Sequence, residues 1–171
     1  MNETRHSLTK IKIYSLLSIV LFVVADQVIK LLVDAYLKPV GSVPVIRNIL
    51  QLSYYENDGA MMGMMSGKTV TMTVLAVMCL LVITFVIFSG KIKFGVDYCC
   101  IVLMMSGGLG NIIDRIFRGY VIDYIEVLFI DFYIFNFADC LVTCAAVIMI
   151  SNQIYEIIKE NNNKKAKATD D

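Results

Sequence analysis

The chain has 171 residues, 58% of them hydrophobic and 18% charged, with 15 basic residues balanced by 15 acidic ones and a mean hydropathy of +0.71. Soluble domains carry about 25% charged residues, so this composition excludes one, and the balanced charge offers nucleic acid no large basic surface. At about 20 residues per crossing, the length accommodates four membrane-spanning helices and their connections in one bundle.

A polar stretch holding the only histidine, His6, precedes the first apolar run, 13–33; no acidic or cysteine cluster stands beside that histidine, which reads as a tail residue. Basic residues before an apolar run also describe a cleaved signal peptide, but no small-x-small pattern follows, and the length suits a retained anchor. Asp26 and Lys30 are four apart near the far end of this span and share a helix face. They read first as an ion pair that fastens the span to the bundle, Lys30 snorkelling to the interface; the other reading puts them at the rim of a site.

Segment 34–68 is punctuated by Pro39, Gly41 and Pro44. Leu50, Leu52 and Tyr54 then alternate with Gln51, Ser53 and Tyr55, the pattern of a half-buried strand, and Asn57-Asp58-Gly59 supplies turn chemistry that stops it. Met61, Met62, Met64 and Met65 surround Gly63 directly afterwards, an adaptable apolar surface that either meets a partner or dips into lipid. The second span is 69–89 and the third 96–113, entered through Asp97. Segment 118–134 mixes aromatic and β-branched residues with Asp123, Glu126 and Asp131; its aromatics suit an interfacial belt, and strand and short helix both remain open for it. The fourth span is 135–155. Residues 1–160 read as one domain, and the Asn/Lys/Ala-rich 161–171 as a disordered tail. Cys79, Cys99, Cys100, Cys140 and Cys144 all fall in apolar runs and read as small hydrophobes rather than disulfide partners.

Basic residues orient the spans. Arg5, Lys10 and Lys12 precede the first, Lys91 and Lys93 fill the turn between the second and third, and Lys159, Lys164, Lys165 and Lys167 follow the fourth. By the positive-inside rule these segments and both termini are cytoplasmic, and 34–68 and 118–134 face out.

Two copies of one tetrapeptide, Asn111-Ile112-Ile113-Asp114 and Asn136-Phe137-Ala138-Asp139, stand at the facing ends of the third and fourth spans. A carboxylate inside a span is costly and points to function. Antiparallel spans would bring Asp114 and Asp139 to one depth near the outer face, where two acids share one proton and can activate water against an amide without metal, serine or histidine. Three other readings stand beside this one: each acid bound by Arg115 or Arg118, a proton relay in a transporter or channel, and a membrane scaffold. Ser106, Gly107, Gly108 and Gly110 allow a helix or an extended chain to approach closely. Asn136 serves equally as a plain helix cap.

Asp26-Gln27-Val28-Ile29-Lys30, Asn57-Asp58-Gly59-Ala60, the block from Gly107 through Asn111 to Asp114-Arg115, Val121-Ile122-Asp123-Tyr124-Ile125 and Phe135-Asn136-Phe137-Ala138-Asp139 together resemble the lipoprotein signal peptidases, or signal peptidase II. The resemblance implies an all-α membrane protease with four transmembrane helices and a small extracytoplasmic β-cradle. It places the protein in the bacterial cytoplasmic membrane as a monomer, with the active site near the outer face, membrane lipids around it and no cofactor or metal. It implies substrates that are lipid-modified prolipoproteins, cut on the amino side of the lipidated cysteine. Carried over position by position, it puts the catalytic acids on Asp114 and Asp139, with Asn57, Gly59, Asn111, Arg115, Asp123, Asn136 and Ala138 shaping the pocket and Asp26 and Lys30 supporting it. Met61, Met62, Glu56 and Cys140 depart from the family's usual residues and bear on substrate fit and local charge more than on the reaction.

Overall fold

The structure, a computed structural model, describes residues 2–59, 69–88, 94–130 and 132–169. Helix α1 (Asn2–Leu32) runs into one π-helical turn (Val33–Leu37), followed by strands β1 (Ser42–Ile46) and β2 (Leu50–Asn57). Then come helices α2 (Thr69–Phe88) and α3 (Val96–Phe117), strand β3 (Val121–Val127) and helix α4 (Phe137–Thr169). All four helices are long and apolar enough to cross a membrane, and no residue of the most apolar stretch of α2 is buried within the protein. Side chains such as Leu81, Phe85 and Val70 stand exposed along it. So much uncovered apolar helix surface is stable only against hydrocarbon; the chain is a multi-pass membrane protein.

Two glycines with positive φ, Gly41 (82°) and Gly119 (84°), turn the chain from helix into strand, a backbone region open to glycine at little cost. The amide of Gly41 donates to the Leu37 carbonyl at 2.8 Å, closing the helix before β1. Asn48, at φ 60°, makes the tight turn from β1 to β2, which pair antiparallel. β2 also pairs antiparallel with β3, giving an open three-stranded sheet in the order β1-β2-β3. The strand expected from alternation is β2; segment 118–134, left open between strand and helix, supplies β3.

Val33, Leu37, Ile122 and Tyr124 form a buried apolar cluster with Ile29, Leu52 and Phe137 packed on it, and this seats the sheet on the far end of α1. At the opposite end Ser15 donates to the Tyr98 hydroxyl at 3.1 Å, and Asn152 donates to Asp97 at 2.9 Å. The start of α1, the start of α3 and the second half of α4 therefore share the end away from the sheet. Close helix approach explains the small residues of α3: a Cβ at Gly107 would strike the Ala138 carbonyl oxygen, and one at Gly110 would strike the Asp26 carboxylate.

α4 continues without a break to Thr169, because the Glu, Lys and Ala of this stretch are strong helix formers and Lys164 pairs with Glu160 at 2.6 Å across one turn. The Met-rich stretch 61–65 and the turn carrying Lys91 and Lys93 lie outside the described residues. All five cysteines are free.

Candidate active site

Asp139 is fixed by the way α4 begins. Asn136 is the N-cap: its side-chain oxygen accepts from the amide of Asp139 at 3.0 Å. The Asp139 carboxylate reaches back and accepts from the amide of Asn136 at 3.2 Å. This reciprocal pair is a capping box with Asn and Asp in place of Ser and Glu. It uses one carboxylate oxygen of Asp139; the other accepts from Asn111 Nδ2 at 2.8 Å. The plain cap and the site residue, weighed as alternatives, are the same interaction.

The amide of Asn136 carries the geometry further. Its Nδ2 donates to Asp123 Oδ1 at 2.6 Å and to Asn111 Oδ1 at 3.2 Å. Asp123 Oδ2 accepts from Asn57 Nδ2 at 2.8 Å. Asp123, on β3, is 1% exposed and lines the same cavity as Asp139. Burial, and then the negative charge of Asp139, push its carboxyl up to about 7, against the opposing pull of the Asn57 and Asn136 donors and of Lys30. Each acid thus receives two N–H donors, and Asn136 ties the two together.

Asp114 is placed elsewhere. It is fully buried, Oδ2 lies 2.8 Å from Lys30 Nζ, and Oδ1 is paired with Arg118 one turn on. The same Oδ1 accepts from Gln27 at 3.2 Å, and Oδ2 accepts from the amide of Ile122 at 3.3 Å. Asp114 does not contribute to the cavity wall, whereas Asn57, Asn111, Arg115, Asp123 and Asp139 do. Asp114, expected beside Asp139, is held between two cations, and the acid that lines the cavity with Asp139 is Asp123. Of the alternatives weighed for Asp114, pairing with Arg118 is the one seen.

Asp26 and Lys30 belong to this buried cluster. Their side chains pair at 2.9 Å with 1% and 0% exposure, so Lys30 does not snorkel. Asp26 also accepts from the amide of Ala138 at 3.2 Å, satisfying an otherwise orphaned donor at the start of α4 and stapling α1 to it. Arg115 reaches the Gly59 carbonyl at 3.3 Å, and its buried Nε is without a hydrogen-bond partner among the described residues. Gly59 is itself held by an amide donated to the Asn57 side chain at 3.0 Å. Among the described residues, no group of three His, Cys, Asp or Glu side chains is placed to hold a metal ion.

The cavity is about 420 Å³ and its wall is largely apolar: Met72, Leu75, Ala76 and Cys79 from α2, and Val142 and Thr143 from α4. Apart from Thr143, these give no polar signal in the sequence. Gln27 was missed as a site-supporting residue, although a glutamine beside Asp26 inside an apolar span was a visible sign.

A four-helix membrane bundle with a small sheet across one end, and two carboxyls on one cavity beneath that sheet, defines a membrane-embedded acid/base hydrolase. The signal peptidase (SPase) II family model matches residues 18–155, and the chain belongs to this family of aspartic proteases. It is 35% identical over 145 residues to the lipoprotein signal peptidase of Fusobacterium nucleatum, covering 84% of this chain and 87% of that one. With the lipoprotein signal peptidase of Caldanaerobacter subterraneus it is 37% identical over 132 residues, 77% of this chain and 90% of the other. Among solved structures, a bacterial membrane enzyme determined by the in meso method at 2.3 Å superposes with a TM-score of 0.75 at 30% identity, covering 88% of this chain and 91% of that chain.

Proposed function

We propose that this enzyme removes signal peptides from lipid-modified prolipoproteins, using Asp123 and Asp139 as its acid/base pair. The observation that carries the proposal is the shared cavity, whose wall holds both acids together with helix-borne apolar side chains. Two carboxyls on one poorly hydrated cavity, the charge of one raising the other, hold one proton between them. Asp139, at the positive end of α4, takes a proton from water as the water attacks the scissile carbonyl, while Asp123 gives its proton to the carbonyl oxygen. The tetrahedral intermediate then collapses: Asp139 protonates the leaving amine, the C–N bond breaks, and Asp123 recovers its proton from the gem-diol. The Nε of Arg115, without a partner among the described residues, offers a donor to the substrate backbone at the same cavity.

The walls from α2 and α4 supply the specificity. Diacylglyceryl tails and the apolar part of the signal peptide lie against them, and each buried CH₂ is worth about 0.8 kcal/mol. Positive-inside asymmetry supports a cytoplasmic location for both termini and an outward-facing sheet and site. Purified protein in detergent is expected to cut a diacylglyceryl-modified precursor at least 100-fold faster, in kcat/KM, than its unmodified counterpart. Equal rates on the two would remove the lipid-recognition part of the proposal. For orientation, single cysteines at Lys38 or Gly119 label from outside and one at Lys91 does not; the reverse pattern overturns it.

A further inference from the structure

We propose that Lys30 is a positioning residue for the acid pair, acting through the side-chain amide of Asn111. Nζ of Lys30 has three protons and three partners: Asp26 Oδ2 at 2.9 Å, Asp114 Oδ2 at 2.8 Å and Asn111 Oδ1 at 2.9 Å. The first two contacts balance charge in a buried place. The third adds nothing to charge balance, yet it dictates which way round the Asn111 amide lies, because an ammonium has donors only and must face the oxygen. Nδ2 is thereby turned to Asp139, to which it donates at 2.8 Å. Lys30 is thus two hydrogen bonds from Asp139, and the second donor on Asn111 Oδ1, Asn136 Nδ2 at 3.2 Å, also donates to Asp123 at 2.6 Å. One ammonium stands at the root of a branched amide network that ends on both acids.

The consequence lies in the protonated half of the cycle. When Asp139 is ionised, its charge alone favours an N–H facing it. Once Asp139 has taken a proton from water, a reversed amide presenting Oδ1 to the carboxylic acid is equally well satisfied there, and the proton is then trapped in an acid-to-amide hydrogen bond. Lys30 makes the reversed amide untenable, since Nδ2 would then point at the ammonium. Asp139 Oδ1 therefore stays an acceptor in both states, and the proton remains on the side facing the substrate.

This inference rests on Asp123 and Asp139 being the reacting pair, and the test separates the two. In Asp26→Asn/Lys30→Met the net charge is unchanged, Asp114 keeps Arg118, and the new amide oxygen at position 26 still accepts from Ala138. The double variant is expected to insert and fold like the parent and to lose kcat by 10- to 100-fold with KM within twofold. On an Asn111→Ala background the same double change is expected to cost less than twofold more, because residues acting in series do not multiply their losses. Parental kcat, a loss that appears in KM, or fully multiplied losses would each overturn the positioning role. If that variant fails to accumulate, Asp26→Asn/Lys30→Leu, which likewise has no donor, is measured in the same cycle against the same outcomes. Asp123→Asn and Asp139→Asn run alongside: turnover in either overturns the acid-pair reading itself, whatever the lysine variants do.

Discussion

The two Asn-x-x-Asp copies share a spacing and differ in which end of a helix they occupy, and that difference decides their chemistry. Asn136 and Asp139 open α4, where backbone N–H groups have no intrahelical partners and the helix is positive; both side chains turn onto those amides, and the carboxylate is held by neutral donors. Asn111 and Asp114 lie near the end of α3, where N–H groups are already bonded along the helix. Asp114 there takes its partners from side chains, chiefly Lys30 and Arg118. The copy held by amides lines the cavity. The copy held by cations is fixed away from the cavity and joins α1 to α3.

The largest effect expected from this contrast is at Asp139. Asp139→Asn should lower kcat by at least 1,000-fold while the protein still inserts, since an amide cannot accept the proton from water; measured turnover within 100-fold of the parent would break the comparison. Next comes Asp114→Asn, whose main effect should be on stability. It takes one of two carboxylates from buried Lys30 and the carboxylate partner of part-exposed Arg118, a loss at the low end of about 3–5 kcal/mol, visible as a lower unfolding midpoint in detergent. An unchanged midpoint would show that the cluster does not hold the bundle.

Asn136→Ala should be milder. It removes a cap worth ~1 kcal/mol together with the bridge between the acids, so kcat should fall roughly 10- to 100-fold, a loss of about 1.4–2.7 kcal/mol in transition-state stabilisation. A loss of stability with no loss of kcat would reduce it to a plain cap.

The smallest effect concerns pH. The Asp123 carboxyl is raised from 3.8 to about 7, so the folded state binds the extra proton across that window, and stability declines as pH rises from about 4 to about 7. As the proposed proton donor to the carbonyl oxygen, Asp123 should also make activity fall above about pH 7. Asn57→Ala removes a donor that holds this carboxyl down, so the alkaline limb of kcat should move to higher pH by less than one unit. A shift to lower pH would contradict the assignment of that limb to Asp123.

Much of this was legible in the residues. Apolar runs of the length of α2 and α3 leave little choice but spans, and the alternation of Leu50, Leu52 and Tyr54 marks β2. β3 escaped because Val121 to Tyr124 are all buried, which erases the alternation that identifies a strand facing water on one side. β1 escaped because all five of its residues are exposed and Pro44 stands in its middle, as an edge strand tolerates. The acids were legible as a set but not as a pairing. Sequence symmetry joined Asp114 to Asp139, whereas the pairing depends on where β3 returns over the helix ends, a tertiary fact with no periodicity behind it. Lys30 read as a surface-seeking cation because nothing in its own helix shows that Asp114 and Asn111 will enclose it.

The most direct test of the account is a single-turnover cleavage assay on a diacylglyceryl-modified precursor with Asp123→Asn and Asp114→Asn side by side, each rate normalised to folded enzyme. The account predicts no detectable cleavage by Asp123→Asn and, per folded molecule, a rate within about tenfold of the parent by Asp114→Asn, on the view that lost positioning costs ~1.4 kcal/mol or less. Cleavage by Asp123→Asn with none by folded Asp114→Asn would return the chemistry to the cation-bound acid and contradict it.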